Sequence, residues 1–226
     1  MRSESPRIQW RVCVLLTERL CALGWRETLA AAVAGGADCV QVREKELAPR
    51  ALADRVRAVI DVARPAGVAV VVNDRADVAL ECGADGVHVG QEDMPVREVR
   101  RLAGDRLLVG VSTHSLAEAR AAVEAGADVC GVGAMFPTAL KPGIAPGGAA
   151  YLREYLAQFG RVPHLAIGGI TPANCGLLAA AGCRGVAVSS VVCGSSDPAA
   201  VVRALRAALG APARGPSSAA GAGARP

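Results

Sequence analysis

Short apolar runs rich in β-branched residues return along this chain at near-regular intervals, and stretches with helical spacing lie between them. The runs are VCVLLT (12–17), CVQVRE (39–44), VAVVVND (68–74), GVHVG (86–90), LLVGVS (107–112), VCGVGAMF (129–136), HLAIGG (164–169) and GVAVSSVV (185–192). RALADRVRAVIDVA and SLAEARAAVEAG are examples of the helical spacers. Strand signals that alternate with helices point to a parallel sheet. Strands buried on both faces read as near-continuous apolar runs, as these do. The joins from helix to strand also repeat: GGADCV, CGADGV, AGADVC and AGCRGV. In each, Gly ends the helix in the left-handed conformation and a polar residue turns the chain into the next strand. Eight such units in about 200 residues predict an α/β fold, a single (β/α)8 TIM barrel. A doubly wound open sheet is the alternative, but G-x-G-x-x-G is missing after the first run.

The repeat defines the domain plan. Residues 10–210 form the barrel, 1–9 read as a flexible lead-in, and the Pro/Gly/Ala/Ser-rich 211–226 reads as a disordered tail. With 25 Lys+Arg against 21 Asp+Glu, the net charge of +4 is too mild to argue for a nucleic-acid partner. Aromatics at 3% leave few stacking platforms for bases. No apolar run approaches the roughly 20 residues that span a bilayer, and MRSESPRIQW lacks an apolar leader core. A cytoplasmic protein without a membrane partner is expected. The cysteines (13, 21, 39, 82, 130, 175, 183, 193) form no CxxC and read as reduced, buried small hydrophobes.

In a barrel of this kind the chemistry sits at the C-terminal ends of the strands. After run 2 come Gln41, Arg43 and Lys45, which share one face by strand alternation, while Val40 and Val42 share the other. With the valines toward the helices, the three polar groups face the barrel mouth, where cations need an anion. Lys45 and Lys141 are the only lysines among 25 basic residues, so a compact ammonium is singled out at two strand-end loops. Run 3 ends in Asn73-Asp74-Arg75 and run 4 leads into Gln91-Glu92-Asp93. Neighbouring strands lie about 4.8 Å apart, so Asp74 and Asp93 can converge. Mg²⁺ commonly takes one or two carboxylates together with waters and phosphate oxygens. Capping of the following helices is an equal alternative for both aspartates.

Ser112-Thr113-His114-Ser115 ends run 5, with hydroxyls for an anion and Ser115 as a helix N-cap. His88 and His114 read as satisfied structural residues, His164 has no site company, and no catalytic base is assigned. The Gly/Pro-rich segment 136–148 is the longest break in the pattern and reads as a lid, with simple disorder as the alternative. Run 7 ends in Gly168-Gly169-Ile170-Thr171-Pro172, a helix start with Thr171 as N-cap and Pro172 at the first position. Run 8 carries Ser189 and Ser190. Barrels often hold a phosphate between these last two loops.

QVREK, NDR, GADGVHVGQED, GVSTH, GVGAMFPT…K, AIGGI and GVAVSS follow one another in register over about residues 10–210. Together they closely resemble the thiamine-phosphate synthases. The resemblance implies coupling of 4-amino-2-methyl-5-pyrimidinylmethyl diphosphate with a thiazole phosphate, giving thiamine phosphate and pyrophosphate. It also implies that Gln41, Arg43, Lys45, Asn73, Ser112 and Lys141 hold the pyrimidine pyrophosphate. Asp74 and Asp93 would bind Mg²⁺, and Thr138, Gly169, Ser189 and Ser190 would contact the thiazole phosphate. The chain departs from the family pattern at two points. Leu140 stands in a P-T-x-T-K segment where a Thr is usual, and Ser189 where an aliphatic residue is common. Both fall on the thiazole side. A thiazole tautomerase-like barrel is resembled less: that family places a His near the end of strand 6, where this chain has Ala134. A non-catalytic paralogue that binds a thiamine precursor is the alternative from another class. The oligomeric state is not written in the residues.

Overall fold

The computed structural model describes residues 8–138, 140, 143 and 145–210. The parts of the lead-in and tail at 1–7 and 211–226 lie outside them, as do Ala139, Lys141, Pro142 and Ile144 of the proposed lid. Eight parallel strands close into a barrel in sequence order: β1 (Val12–Leu16), β2 (Cys39–Val42), β3 (Ala69–Asn73), β4 (Gly86–Val89), β5 (Leu108–Thr113), β6 (Val129–Val132), β7 (His164–Ile167) and β8 (Val186–Val188), with β8 pairing back onto β1. Closure excludes the open sheet. Helices α1 (Trp25–Ala34), α2 (Pro49–Ala63), α3 (Ala76–Cys82), α4 (Val96–Ala103), α5 (Leu116–Ala125), α6 (Gly148–Phe159) and α7 (Pro172–Ala180) fill the crossovers. A short α8 (Ser190–Cys193) and then α9 (Pro198–Ala208) follow β8. The apolar run at 185–192 is therefore strand only to Val188. Its last part turns into a helix at the serines, which brings Ser189 and Ser190 to the rim.

Alternation sorts each strand between two cores. Val12, Val14, Leu16, Val40, Val42, Val70 and Val72 pack outward against the helices. Cys13, Leu15, Cys39, Val71, Val129, Leu165 and Ala187 fill the barrel, with Ile8 and Trp10 packed against them. The interior is not wholly apolar. A Cβ on Gly110 would come within 2.4 Å of His88 Nδ1, and one on Gly131 within 3.2 Å of His88 Cε1. The imidazole thus lies across β5 and β6, and both strands carry Gly to make room for it.

The repeated joins do more than turn the chain. Gly36, Gly83, Gly126 and Gly182 all have positive φ, the conformation that ends a helix without a Cβ penalty. The aspartate after each of the first three reaches back to the start of the preceding strand. Asp38 Oδ2 accepts from the N–H groups of Arg11 and Val12 at 2.9 Å, Asp85 Oδ2 from Val70 at 2.7 Å, and Asp128 Oδ2 from Val109 at 2.8 Å. Strand-start donors would otherwise be left unpaired, and a charged acceptor is a strong partner for them. The fourth join has Arg184 in place of Asp, and the bond is inverted: Arg184 N–H donates to His164 Nε2 at 3.3 Å.

That bond requires a neutral imidazole. Burial, and secondarily the Arg184 charge, hold His164 down to about 4. The unfolded chain, with an ordinary His near pH 6.5, takes the proton first as pH falls. The His164 contribution is therefore intact above about pH 6.5 and erodes between there and about pH 4. From pH 7.5 to pH 5 the loss is about 2 kcal/mol. Urea unfolding of wild type and His164→Gln at those two pH values measures it. The variant should lose less stability on acidification, and equal losses would remove His164 from the account.

Candidate active site

The C-terminal rim has two unlike halves. Over β5 to β8 and β1 lies a cavity of about 470 Å³. Its wall includes Ser112, Thr138, Leu140, Gly169, Ser189 and Ser190, together with Arg43 from β2. Over β2 to β4 the rim is more open and carries Lys45, Asn73, Asp74 and Asp93. Arg43 belongs to both halves, since its charge also acts on Asp74.

The β2–β4 half follows from register. Gln41 pairs with Val71 and Val42 with Val72, so Arg43 leaves its strand beside Asn73. Asn73 in turn pairs with His88. Lys45 Nζ lies 3.7 Å from Asp74 Oδ2. Burial first, and the adjacent Asp93 carboxyl second, push Asp74 above the ordinary carboxylate range, while Lys45 and Arg43 pull it back. Asp74 and Asp93 thus converge with two cations beside them. Neither caps the next helix, because the N-cap positions belong to Arg75 and Pro95. Asp93 Oδ2 instead accepts from Gly90 N–H at 2.7 Å, and Asp74 has φ 63°, the only positive φ among the described non-glycine residues. Gln41 corrects the sequence reading in one respect. It shares the face of Arg43, but at 5% exposure it sits in the barrel interior with Cys39 and His88, a layer below the mouth.

Several other polar groups of the rim have local partners. Ser112 Oγ lies 3.0 Å from His88 Nε2, and Gln91 Nε2 donates to Ser112 O at 2.6 Å. His114 Nδ1 lies 3.1 Å from Glu118 Oε2. Ser115 caps α5 by accepting from Glu118 N–H at 3.2 Å, as its position predicts. Thr171 is the N-cap of α7, with Pro172 at the first turn. Ser189 Oγ donates to Leu15 O at 2.9 Å, so its proton is used within the barrel. Leu140 N–H donates to Thr138 Oγ1 at 3.3 Å, so the Thr138 oxygen acts as an acceptor there. Lys141 lies outside the described residues.

Sequence reasoning missed part of the wall. Ile167 and Ala187 line the cavity unforeseen; Thr113 and Gly168, named at their strand ends but given no contact, line it as well, and so does His114, read as structural. Thr113 accepts from Tyr151 Oη at 3.5 Å. The hydroxyl run Ser112-Thr113 was a usable signal. The apolar wall residues carried none, because they read as ordinary strand positions.

The sequence profile described as Thiamine monophosphate synthase matches residues 13–192. The chain belongs to this family. The thiamine-phosphate synthase of Chloroflexus aurantiacus is 46% identical over 202 residues, covering 88% of this chain and 93% of that protein. Its counterpart from Laribacter hongkongensis is 45% identical, over 90% and 97% of the two chains. Among solved structures, a thiamine phosphate pyrophosphorylase from Pyrococcus furiosus superposes with a TM-score of 0.82 at 32% identity, over 89% of this chain and 96% of that one. The family match runs from β1 to α8, so both halves of the rim fall within it. Among the described residues no helix is long and apolar enough to cross a membrane.

Proposed function

We propose that the chain couples 4-amino-2-methyl-5-pyrimidinylmethyl diphosphate to 4-methyl-5-(2-phosphoethyl)thiazole, or its carboxylated form with loss of CO2 and uptake of a proton, releasing thiamine phosphate and pyrophosphate. The observation that carries this reading is the convergence of Asp74 and Asp93 beside Lys45 and Arg43, next to a cavity large enough for a second small ligand. Family membership supports a condensation of two phosphorylated small molecules. The pyrimidine pyrophosphate would lie over β2 to β5, against Arg43, Lys45, Asn73 and Ser112, with Gln41 below; Lys141, outside the described residues, is the remaining contact that the family resemblance implies. The thiazole phosphate would lie in the cavity by Thr138, Gly169 and Ser190.

The donor set fits Mg²⁺. Two carboxylates suffice when phosphate oxygens and waters complete the sphere, and no group of three or more His, Cys, Asp or Glu gathers among the described residues. When bound, the ion would supply charge neutralisation on the leaving pyrophosphate. Arg43 and Lys45 add to that neutralisation and orient the group. As the pyrimidinyl CH2–O bond breaks, its electron pair leaves with pyrophosphate. The thiazole nitrogen donates its lone pair to the CH2 carbon, forming the new C–N bond. With the uncarboxylated thiazole no proton need move in this step. Positioning and electrostatics carry such a reaction.

The test is formation of thiamine phosphate by the purified chain from the two substrates, with Mg²⁺ and with EDTA. Product in Mg²⁺ alone supports the reading. Binding of both substrates without product would leave a binding protein instead.

The thiazole side yields its own expectation. Ser189 spends its proton on Leu15, so it does not replace the hydroxyl absent at Leu140. Leu140→Thr should therefore add a donor to the phosphate. One hydrogen bond is worth roughly 0.5–1.5 kcal/mol, so the thiazole-phosphate KM should fall about two- to tenfold. Ser189→Ala should leave that KM nearly unchanged. A fall confined to the pyrimidine substrate in Leu140→Thr would refute the assignment of this cavity.

A further inference from the structure

Arg43 and Lys45 point into the rim, and the residue between them points away from it. Glu44 turns to the back of β2, where its Oε1 accepts from Glu18 N–H at 2.7 Å and from Arg55 Nη1 at 3.0 Å. Arg55, on the second turn of α2, gives its other nitrogen to Glu18 Oε2 at 2.7 Å. Its guanidinium lies 4.1 Å from the centre of the Trp25 ring, at the start of α1. The Glu44 and Arg55 side chains are each only 11% exposed. Two further bonds tie the same stretch to the end of β1: Arg43 N–H donates to Leu16 O at 2.9 Å, and Thr17 Oγ1 donates to Arg43 O at 3.0 Å.

We propose that Glu44 is a positioning residue for the pyrophosphate half of the site, clamped by Arg55 and Glu18 so that the flanking Arg43 and Lys45 leave β2 at fixed angles. The inference rests on the function proposed above. A mostly desolvated, hydrogen-bonded ion pair stacked on an aromatic ring is stiffer than an exposed one, which would contribute little. The other ion pairs of α2 illustrate the contrast. Arg57 pairs with Asp54 and Glu81 on the surface, with side-chain exposures of 48% to 67%. A leaving group carrying several charges needs its cations held within a fraction of an ångström. In the clamp, the side chain between two such cations is fixed by two direct partners, Glu18 N–H and Arg55.

The experiment compares wild type, Glu44→Ala, Glu44→Gln and Arg57→Ala by steady-state kinetics for both substrates. Calorimetric titration with magnesium pyrophosphate and thermal melts accompany it. Glu44→Ala should weaken pyrophosphate binding and raise the pyrimidine KM, each about tenfold or more, since misplacing a catalytic group by an ångström can cost about 100-fold. Its thiazole-phosphate KM should stay within about twofold. Glu44→Gln keeps the acceptor for Glu18 N–H and should fall between wild type and Glu44→Ala. Arg57→Ala should match wild type. If Glu44→Ala does not fold, Glu44→Gln and Arg55→Lys take its place, and wild-type pyrophosphate affinity in both overturns the proposal. So does equal weakening of the two substrates, which would mean general loosening. A wild type that binds pyrophosphate without turnover defeats the parent function, while the binding comparison still decides the role of Glu44.

Discussion

Alanine at Asp74 or at Asp93 is expected to lower Mg²⁺-supported turnover by about 100-fold or more while the barrel remains folded. The Asp74 carboxyl is partly buried, and the neighbouring Asp93 disfavours its ionisation. Lys45 at 3.7 Å is more than half exposed and neutralises them only in part. Neither aspartate serves as an N-cap, and the bond that Asp93 accepts from Gly90 N–H does not require Asp74 beside it. Like charges gathered at a strand end are a cost to folding, and functional sites are where such costs are retained. Asp93→Asn should therefore match or exceed wild-type thermal stability while losing activity. For Asp74 the better companion to alanine is Asn, because φ 63° is tolerated by Asn and strained for Ala. Thiamine phosphate formation across a Mg²⁺ series, together with melting curves, checks both. Full activity in Asp74→Asn or Asp93→Ala, or undiminished wild-type activity in EDTA, would sink the metal assignment.

The barrel was legible because near-continuous apolar runs alternate with helical spacing eight times, and each strand seen in the structure falls inside its run except β5, which continues one residue further to Thr113. Strand alternation puts Gln41 and Arg43 on one face, whereas Lys45 lies in the turn after β2 and comes beside Asp74 from there. Periodicity specifies a face and not a height, however. Strand tilt and stagger set the layer in which a side chain sits, and only closure fixes them. Gln41 therefore reads like Arg43 in sequence but lies below it beside His88. The GAD joins were legible as turns, yet the reach of Asp38, Asp85 and Asp128 to the preceding strand start is a tertiary bond with no local signature. Likewise, Gly110 and Gly131 look like weak strand residues until the His88 ring is seen against them. The site was legible where charges and hydroxyls cluster at strand ends. The apolar cavity wall was not, because Ile167 and Ala187 look like core.

Gly169→Ala should be the most damaging single-methyl change on the thiazole side. Gly169 has φ 62°, and a Cβ there would come within 2.4 Å of Pro137 O and 2.9 Å of Phe136 Cβ. Its neighbour Gly168, with φ 102°, would place a Cβ 2.8 Å from that of Ala134. These close approaches exist because the loop after β6 is laced to the end of β7. Met135 N–H donates to Ile167 O at 2.8 Å and Phe136 N–H to Gly168 O at 2.9 Å. A carbonyl in a laced backbone cannot swing aside as a flexible side-chain tip can, so the Pro137–Thr138 segment must be displaced. Left-handed strain and overpacking together predict about 2–4 kcal/mol of destabilisation. Thr138 would move with the segment, so the thiazole-phosphate KM should rise about tenfold or more. The pyrimidine KM should change little, since Lys45, Asp74 and Asp93 lie across the barrel. Gly176→Ala is the control: it sits within α7 with nothing within 4 Å of its added methyl, and helix propensity favours Ala there. Alanine keeps the Gly169 N–H, which separates two roles for this glycine. If its only duty were to offer that N–H to a phosphate, Gly169→Ala would bind the thiazole phosphate as wild type does. If it holds the loop in register, stability and thiazole affinity fall together.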